Sequence, residues 1–386
     1  MPRLLLVTPA ELTRDPRARR AAEAAKALGF GVVGLSGRIS GEPPADLADV
    51  AVVRAGGEGR TNPQWKTGGE PWPDPSLVRE LRGLYRLARL ASRTASLVRA
   101  GRTLGRVDVV HANDLDTLPA AYLLARESRS RLVYDAHELY ADFEPDPPRL
   151  ARAALNAIEG LLARRSDVVV TVSDPMAAEL SRRLGVEPIV VLNAPAADEH
   201  EPPEPGEEGP LRVVYQGAFG TGRPLADLVE ILRRAPSVRL TLRVSRSTRE
   251  ELARELPPDL ATRVEVVEPV EPAHVVEALH GHHVGLLFDR PLTRNAELSS
   301  PNKLFEYLMA GLAIVAPRLP GLLWVEKERL GLLAPAGDPA ALGAVLERVH
   351  TDRSLLAELR ANARRAAVER YNAEAQHAAL ASAWRT

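Results

Sequence analysis

The stretch Ser299-Ser-Pro-Asn-Lys-Leu-Phe-Glu-Tyr-Leu-Met-Ala-Gly311 puts a cation and a carboxylate within the first two turns of an expected helix. Ser300 reads as its N-cap and Pro301 as its first residue, which leaves the backbone N–H groups of Asn302 and Lys303 pointing outward. Free N–H groups at a helix start attract phosphate and other anions. At 3.6 residues per turn, Leu304, Phe305, Leu308 and Met309 share a core face, and Asn302, Lys303, Glu306 and Tyr307 share the opposite, site-bearing face. A lysine in the first turn opposes the helix dipole by roughly 0.3–1 kcal/mol, and a bound anion removes that conflict. The chain has only four lysines (Lys26, Lys66, Lys303, Lys327) against abundant arginine, so the choice of a compact ammonium at 303 points the same way.

Other polar clusters follow short apolar runs. They are residues 8–17, His111-Ala-Asn-Asp-Leu-Asp116, Asp135-Ala-His-Glu-Leu-Tyr140, Gln216-Gly-Ala-Phe-Gly-Thr-Gly-Arg223, 245–249, 289–300 and 317–321. Ligands of open parallel sheets bind at loops after the carboxyl ends of strands, so these are the places to look for chemistry. Gly217, Gly220 and Gly222 would permit close backbone approach to a ligand. Ser300-Pro-Asn-Lys303 and Lys66-Thr-Gly68 mimic elements of serine acyl-enzymes, but their order along the chain is reversed. With no cysteine there is no disulfide, thiolate nucleophile or zinc–thiolate site.

The elements that must position these clusters alternate along the chain. At 386 residues two domains are expected. Strands at 4–7, 31–35, 50–53, 107–111, 131–134, 167–172 and 189–192, with a helix near 15–28, give the βαβ pattern of one doubly wound sheet. Proline, glycine and acid dominate 196–210, the composition of a linker. A second series follows at 211–215, 239–243, 264–267, 284–288 and 313–316, and then helices from 339 onward. The expected division is 1–196, a linker 197–210, 211–370, and a last helix in 371–386 that packs back on the first domain. The loop 56–75 is long enough to suggest function or mobility. The helix after it carries Arg79, Arg82, Arg86, Arg89, Arg93, Arg99 and Arg102, a solvated face or a contact for anionic lipid or acceptor. A net charge of -1 argues against bulk nucleic-acid binding. The N-terminal apolar run is too short for a signal peptide and none later approaches ~20 residues, so a cytoplasmic protein is expected, with peripheral contact at the inner membrane face.

The combination of Val109-Val-His-Ala-Asn-Asp-Leu-Asp-Thr-Leu-Pro119, Val133-Tyr-Asp-Ala-His-Glu-Leu139, Val172-Ser173 and Pro301-Asn-Lys-Leu-Phe-Glu-Tyr-Leu-Met-Ala-Gly311 resembles the family 4 (group 1) glycosyltransferases over nearly the whole chain. That resemblance implies an α/β GT-B fold: two Rossmann-like domains facing across a cleft, with a C-terminal helix crossing back to the first. It implies a retaining, metal-independent transferase that moves a sugar from a nucleoside diphosphate to a glycan, glycolipid or other glycoconjugate, without a cofactor. Asp114-Leu-Asp116 has the spacing of the metal motif of another glycosyltransferase fold and is read instead as helix-cap or site residues.

Carried onto this sequence, the resemblance gives Glu306 the donor ribose, Arg223 the diphosphate and His137 a contact to the donor sugar near its reacting carbon. Lys303 joins them in stabilising the leaving diphosphate. Gly217, Gly222, Glu297, Ser300 and Asn302 complete the expected donor site, and Asp15, Arg17, Asn113, Asp114 and Glu138 are acceptor-side candidates. Two departures stand out. Leu298 occupies the place of the family's first paired glutamate, with Glu297 beside it, and Ala218 replaces an expected arginine. They motivate the alternative of a catalytically weak, GT-B-like scaffold that binds a sugar nucleotide or a partner.

Overall fold

A computed structural model describes residues 1–9, 12, 15–37, 50–54, 75–142, 148–198, 202, 208–220 and 222–385. The long loop near 56–74, Lys66 included, and much of the linker lie outside them. The chain forms two units: Met1–Val191 with His377–Thr386, and Leu192–Gln376. These boundaries replace the expected ones at 196 and 370, because the described linker residues contact the second unit: Arg364 donates to the Asp198 carbonyl and Ala197 N–H to Glu374.

In the first unit the strands are β1 (Arg3–Thr8), β2 (Gly31–Ser36), β3 (Ala51–Arg54), β4 (Val109–Asn113), β5 (Arg131–Ala136), β6 (Val168–Thr171) and β7 (Ile189–Val190). Its helices are α1 (Pro16–Ala27), α2 (Pro75–Gly101), α3 (Leu118–Ser128), α4 (Arg149–Ala163) and α5 (Asp174–Leu184). All pairings are parallel, in the order β3-β2-β1-β4-β5-β6-β7. The strands are aliphatic and buried on both faces, as a helix-covered parallel sheet requires.

The second unit holds β8 (Leu211–Gln216), β9 (Val238–Arg243), β10 (Val264–Val267), β11 (Val284–Leu286), β12 (Ala313–Pro317) and β13 (Gly331–Ala334), in the order β10-β9-β8-β11-β12-β13 and again parallel. Its helices are α6 (Leu225–Arg234), α7 (Arg246–Glu255), α8 (Pro258–Ala261), α9 (Arg294–Leu298), α10 (Asn302–Met309), α11 (Leu323–Lys327), α12 (Pro339–Thr351) and α13 (Arg353–Glu369). The last helix, α14 (Ala373–Trp384), starts in the second unit and from His377 belongs to the first, where Leu380, Ala383 and Trp384 join a core with Leu4, Leu6, Val109 and Val133. Strand β13 is absent from the sequence expectation; its Gly-Leu-Leu-Ala is too short to show a period.

In both sheets the order reverses beside the first strand, between β1 and β4 and between β8 and β11. Neighbouring crossovers leave in opposite directions there, so the loops part and a ligand crevice opens. The residues after β1 and β4 and after β8 and β11 are thereby placed for chemistry.

Close packing of α10 on the second sheet depends on Gly285 of β11. A Cβ there would lie 2.2 Å from the Tyr307 ring, with both residues in the interior. Gly285→Ala is expected to lower the unfolding free energy by ~3 kcal/mol, read as a drop in the urea midpoint; a wild-type midpoint would rule out this packing.

Candidate active site

In the second unit, α10 begins at Asn302 with Pro301 as N-cap and no side-chain capping bond. The expected N-cap role of Ser300 is therefore wrong: its buried hydroxyl donates to the Gly321 carbonyl at 2.8 Å, and the helix starts one residue later. The core face of Leu304, Phe305, Leu308 and Met309 is as expected. Tyr307 belongs to that core as well, not to the site face; it is fully buried, and its hydroxyl accepts from the Gln216 N–H at 2.9 Å.

Lys303 lies in the first turn of α10. Its residue is half-buried, but the ammonium itself is sealed from solvent and has no hydrogen-bond partner among the described residues. It sits 4.5 Å from the centroid of the Tyr215 ring, a cation–π contact. Burial pushes its pKa down to about 8, with Asp289 and Glu306 opposing and Arg223 assisting the fall. Gly217 takes φ 132°, a conformation side chains rarely adopt, and a Cβ there would come within 3.3 Å of the lysine nitrogen.

Around this ammonium the expected residues divide. Arg223 pairs with Asp289 at 2.9 Å, both partly exposed. Glu306 accepts from the Gln216 side-chain amide. Glu297 pairs with Arg294 at 2.7 Å, and Leu298 is buried. Gly222 has only Leu292 near its Cβ direction, and its carbonyl accepts from the Arg290 N–H. Asn302 is half-buried at the first helical position. Gln216, Asp289 and Tyr215 were not singled out from the sequence. The first two lie in the polar clusters 216–223 and 289–300, at the end of β8 and after β11, the switch-point strands.

In the first unit the site gathers on Asp135, which is buried at the end of β5. Arg17 grips it with two bonds of 2.9 Å and also donates to the Val191 carbonyl at 2.5 Å. His111 Nε2 lies 3.3 Å from the same carboxylate, and His137 Nε2 lies 3.1 Å from it outside hydrogen-bonding angles. Burial alone would raise the Asp135 pKa, but the charges of Arg17 and His137 hold it well below the carboxylate range. Burial alone would lower that of His137, yet Asp135 and Asp114 push it up to about 10. The raised value favours the protonated form of His137 at neutral pH.

Asp114 adopts φ 60°; its carboxylate accepts from the His137 backbone N–H at 3.1 Å and lies 3.5 Å from His137 Nδ1. Glu138 is pushed up to about 7, first by burial and then by Asp114 and Asp15. Asn113 is fully buried with both amide atoms unpartnered, and the Thr8 hydroxyl at the end of β1 is unpartnered too. Such orphans beside a switch point mark where a polar ligand fits. Two acceptor-side expectations are corrected. Asp15 is the N-cap of α1, accepting from the N–H groups of Arg17 and Ala18, and the Arg17 guanidinium is spent on Asp135 and Val191. Asp116 is bound by Arg93 and Tyr140, and neither it nor Asp114 caps α3 through its side chain.

Two family models match the sequence: Glycosyltransferase Family 4 over residues 17–195 and Glycosyl transferases group 1 over residues 218–352. No curated protein matches the sequence. Among solved structures, sucrose-phosphate synthase from Thermosynechococcus elongatus is similar at TM-score 0.74 and 15% identity, covering 99% of this chain and 98% of that one. Anabaena HepE in complex with UDP is similar at TM-score 0.70 and 15% identity, with 99% of each chain covered. The E. coli trehalose-6-phosphate structure bound with UDP-2-fluoro glucose is similar at TM-score 0.68 and 13% identity, covering 100% and 99%.

The buried ammonium has a measurable consequence. Between pH about 8 and the ordinary lysine value of 10.5, the unfolded chain holds a proton that the folded chain lacks, so stability rises with pH through that window. At neutral pH the buried charge costs roughly 3 kcal/mol. Lys303→Met is expected to raise the melting temperature at pH 7 by a few degrees; a lowered one would show that the charge is balanced by something else.

Proposed function

Because the chain belongs to the family 4, group 1 glycosyltransferases of the GT-B fold, we propose that it transfers a sugar from a nucleoside-diphosphate sugar to a glycan, glycolipid or other glycoconjugate acceptor. The observation that carries this reading is the sealed, unpartnered Lys303 ammonium at the start of α10, beside Gly217. A diphosphate accepting from Lys303 and from the backbone N–H groups of the first turn of α10 would balance that charge and reverse its conflict with the helix dipole. Arg223 is close enough to act on Lys303 electrostatically and would turn from Asp289 to the same anion. Glu306 would exchange its Gln216 contact for donor ribose hydroxyls. That Anabaena HepE and the E. coli structure are recorded with UDP-containing ligands favours a uridine nucleotide.

Departure of the diphosphate leaves an oxocarbenium-like centre, and Lys303, Arg223 and the helix start would stabilise the charge that leaves. His137, protonated at neutral pH, would donate to the sugar or the leaving group. The finer reading is retention, in which a phosphate oxygen takes the acceptor proton from the face the leaving group departs, so that no dedicated protein base is required. Metal-independence fits the commitment of Asp116 to Arg93 and Tyr140. The orphaned amide of Asn113, the Thr8 hydroxyl and Glu138 are the acceptor-side candidates. Buried Leu298, and Ala218 in place of an arginine, favour a second reading, a weakly catalytic sugar-nucleotide-binding scaffold.

Thermal unfolding with UDP, GDP, ADP and TDP separates these. Ligand at ~100 times its dissociation constant adds roughly 2.7 kcal/mol, so one nucleotide is expected to raise the melting temperature, with the shift lost in Glu306→Ala and Lys303→Met. No shift with any of them would sink the donor site. Slow donor hydrolysis, abolished in His137→Ala, would separate enzyme from scaffold, and the anomer released, read by proton NMR, tests retention.

We further propose a cytoplasmic enzyme that meets a lipid-linked acceptor at the membrane surface through α2. Among the described residues no helix is long and apolar enough to cross a membrane. Leu81, Leu84 and Tyr85 are about half exposed on α2 beside Arg82. An apolar groove of about 820 Å³, lined by Leu87, Leu90, Val98, Leu123 and Ile158, lies between α2, α3 and α4. Apolar anchors with arginine suit anionic lipid surfaces. Flotation with phosphatidylglycerol vesicles but not with phosphatidylcholine, reduced by Leu81→Glu with Leu84→Glu, is the expected result; equal recovery with both lipids would refute it.

A further inference from the structure

The C-terminal helix reaches the first-unit site through one chain of polar contacts. Trp384 is buried, and its indole N–H donates to His111 Nδ1 at 3.1 Å. An indole nitrogen can only donate, so His111 Nδ1 must be the lone-pair nitrogen. The proton of His111 then sits on Nε2, which faces Asp135 Oδ2 at 3.3 Å. That oxygen is the one 3.1 Å from His137 Nε2. Packing holds the indole in place: its ring meets Phe30 edge-on at 6.0 Å and His111 at 5.7 Å, and the Ala383 carbonyl accepts from Arg131 at 2.7 Å.

We propose that Trp384 is a positioning residue for His137: by holding His111 as its neutral Nε2–H tautomer, it reserves the charge of Asp135 for Arg17 and His137. The inference rests on the reading of His137 as a contact to the reacting donor. Within this cluster the charged groups are Asp135 and Arg17, Asp114 and Glu138 beside His137, and Asp15 near Glu138. A hydrogen bond received at Nδ1 is what fixes the His111 proton on Nε2, against Asp135. Without it, the ring is free to carry its proton on Nδ1, the Nε2–H contact to Asp135 is lost, and the carboxylate that faces His137 is held differently. The helix that leaves the second unit at Gln376 would thus set the charge of a first-unit site residue.

The test is long-range proton–nitrogen NMR on histidine-labelled full-length protein, which needs no substrate. In wild type, His111 is expected as the Nε2–H tautomer. In Trp384→Phe, which keeps the ring, the Nδ1–H tautomer of His111 should appear and the His137 midpoint should move by about one unit. Donor hydrolysis should drop about tenfold in kcat, with the nucleotide-induced thermal shift unchanged. An Nδ1–H tautomer in wild type, or an unmoved His137 midpoint in Trp384→Phe, would overturn the proposal. If that variant does not fold, the wild-type tautomer decides. Absence of any nucleotide shift in wild type overturns the donor reading instead, and the titration then judges the linkage alone.

Discussion

A charge withdrawn from water must be balanced by its neighbours or it destabilises the fold, and the two units meet that constraint in opposite ways. In the first, Asp135 is buried and fully answered by Arg17, His111 and the nearby His137. In the second, the Lys303 ammonium is buried against the face of Tyr215, with the Asp289 and Glu306 charges nearby and no hydrogen-bond partner among the described residues. A satisfied buried network fixes geometry, whereas an unsatisfied buried cation is a vacancy for an anion. The first arrangement holds His137 in one protonation state; the second stores destabilisation that a ligand can relieve. Both lie at carboxyl ends of parallel strands, where the sheet order leaves room.

Much of this was legible in the sequence, for identifiable reasons. Aliphatic runs four to six residues long, separated by helical periods, give parallel sheets almost directly, and the last helix expected in 371–386 is α14 over Ala373–Trp384. Lys303 stood out because a lysine in a first turn is locally wrong, and local rules fail most informatively at functional sites. What the sequence could not carry was partnership. Nothing in the string shows that Arg17, in the first turn of α1, reaches 118 residues along the chain to Asp135, or that Ser300 spends its hydroxyl on Gly321. Tyr307 was assigned to the wrong face because helical projection marks positions on one helix, whereas its burial follows from the Gly285 gap on another element. Trp384 was legible only as a bulky residue at a helix end.

The two cations of the second unit differ in how firmly they are held, and that difference suits a site that must take and then release a charged ligand. Arg223 and Asp289 are each about a third exposed, and such pairs contribute only about 0–1 kcal/mol. Turning Arg223 toward a diphosphate therefore costs little. Lys303 gives up no partner at all, so an arriving anion gains its full attraction in a water-poor setting. The same attraction, were it permanent, would trap the leaving diphosphate. A lysine whose free-state pKa is already pushed down to about 8 still carries its proton at neutral pH but holds it less firmly than an exposed lysine would. Affinity is thus placed on the bound state, while the free protein bears the cost as lost stability. That trade explains why a fold with abundant arginine keeps lysine here: guanidinium stays charged under any burial, and only the ammonium can adjust its protonation to the presence of the ligand.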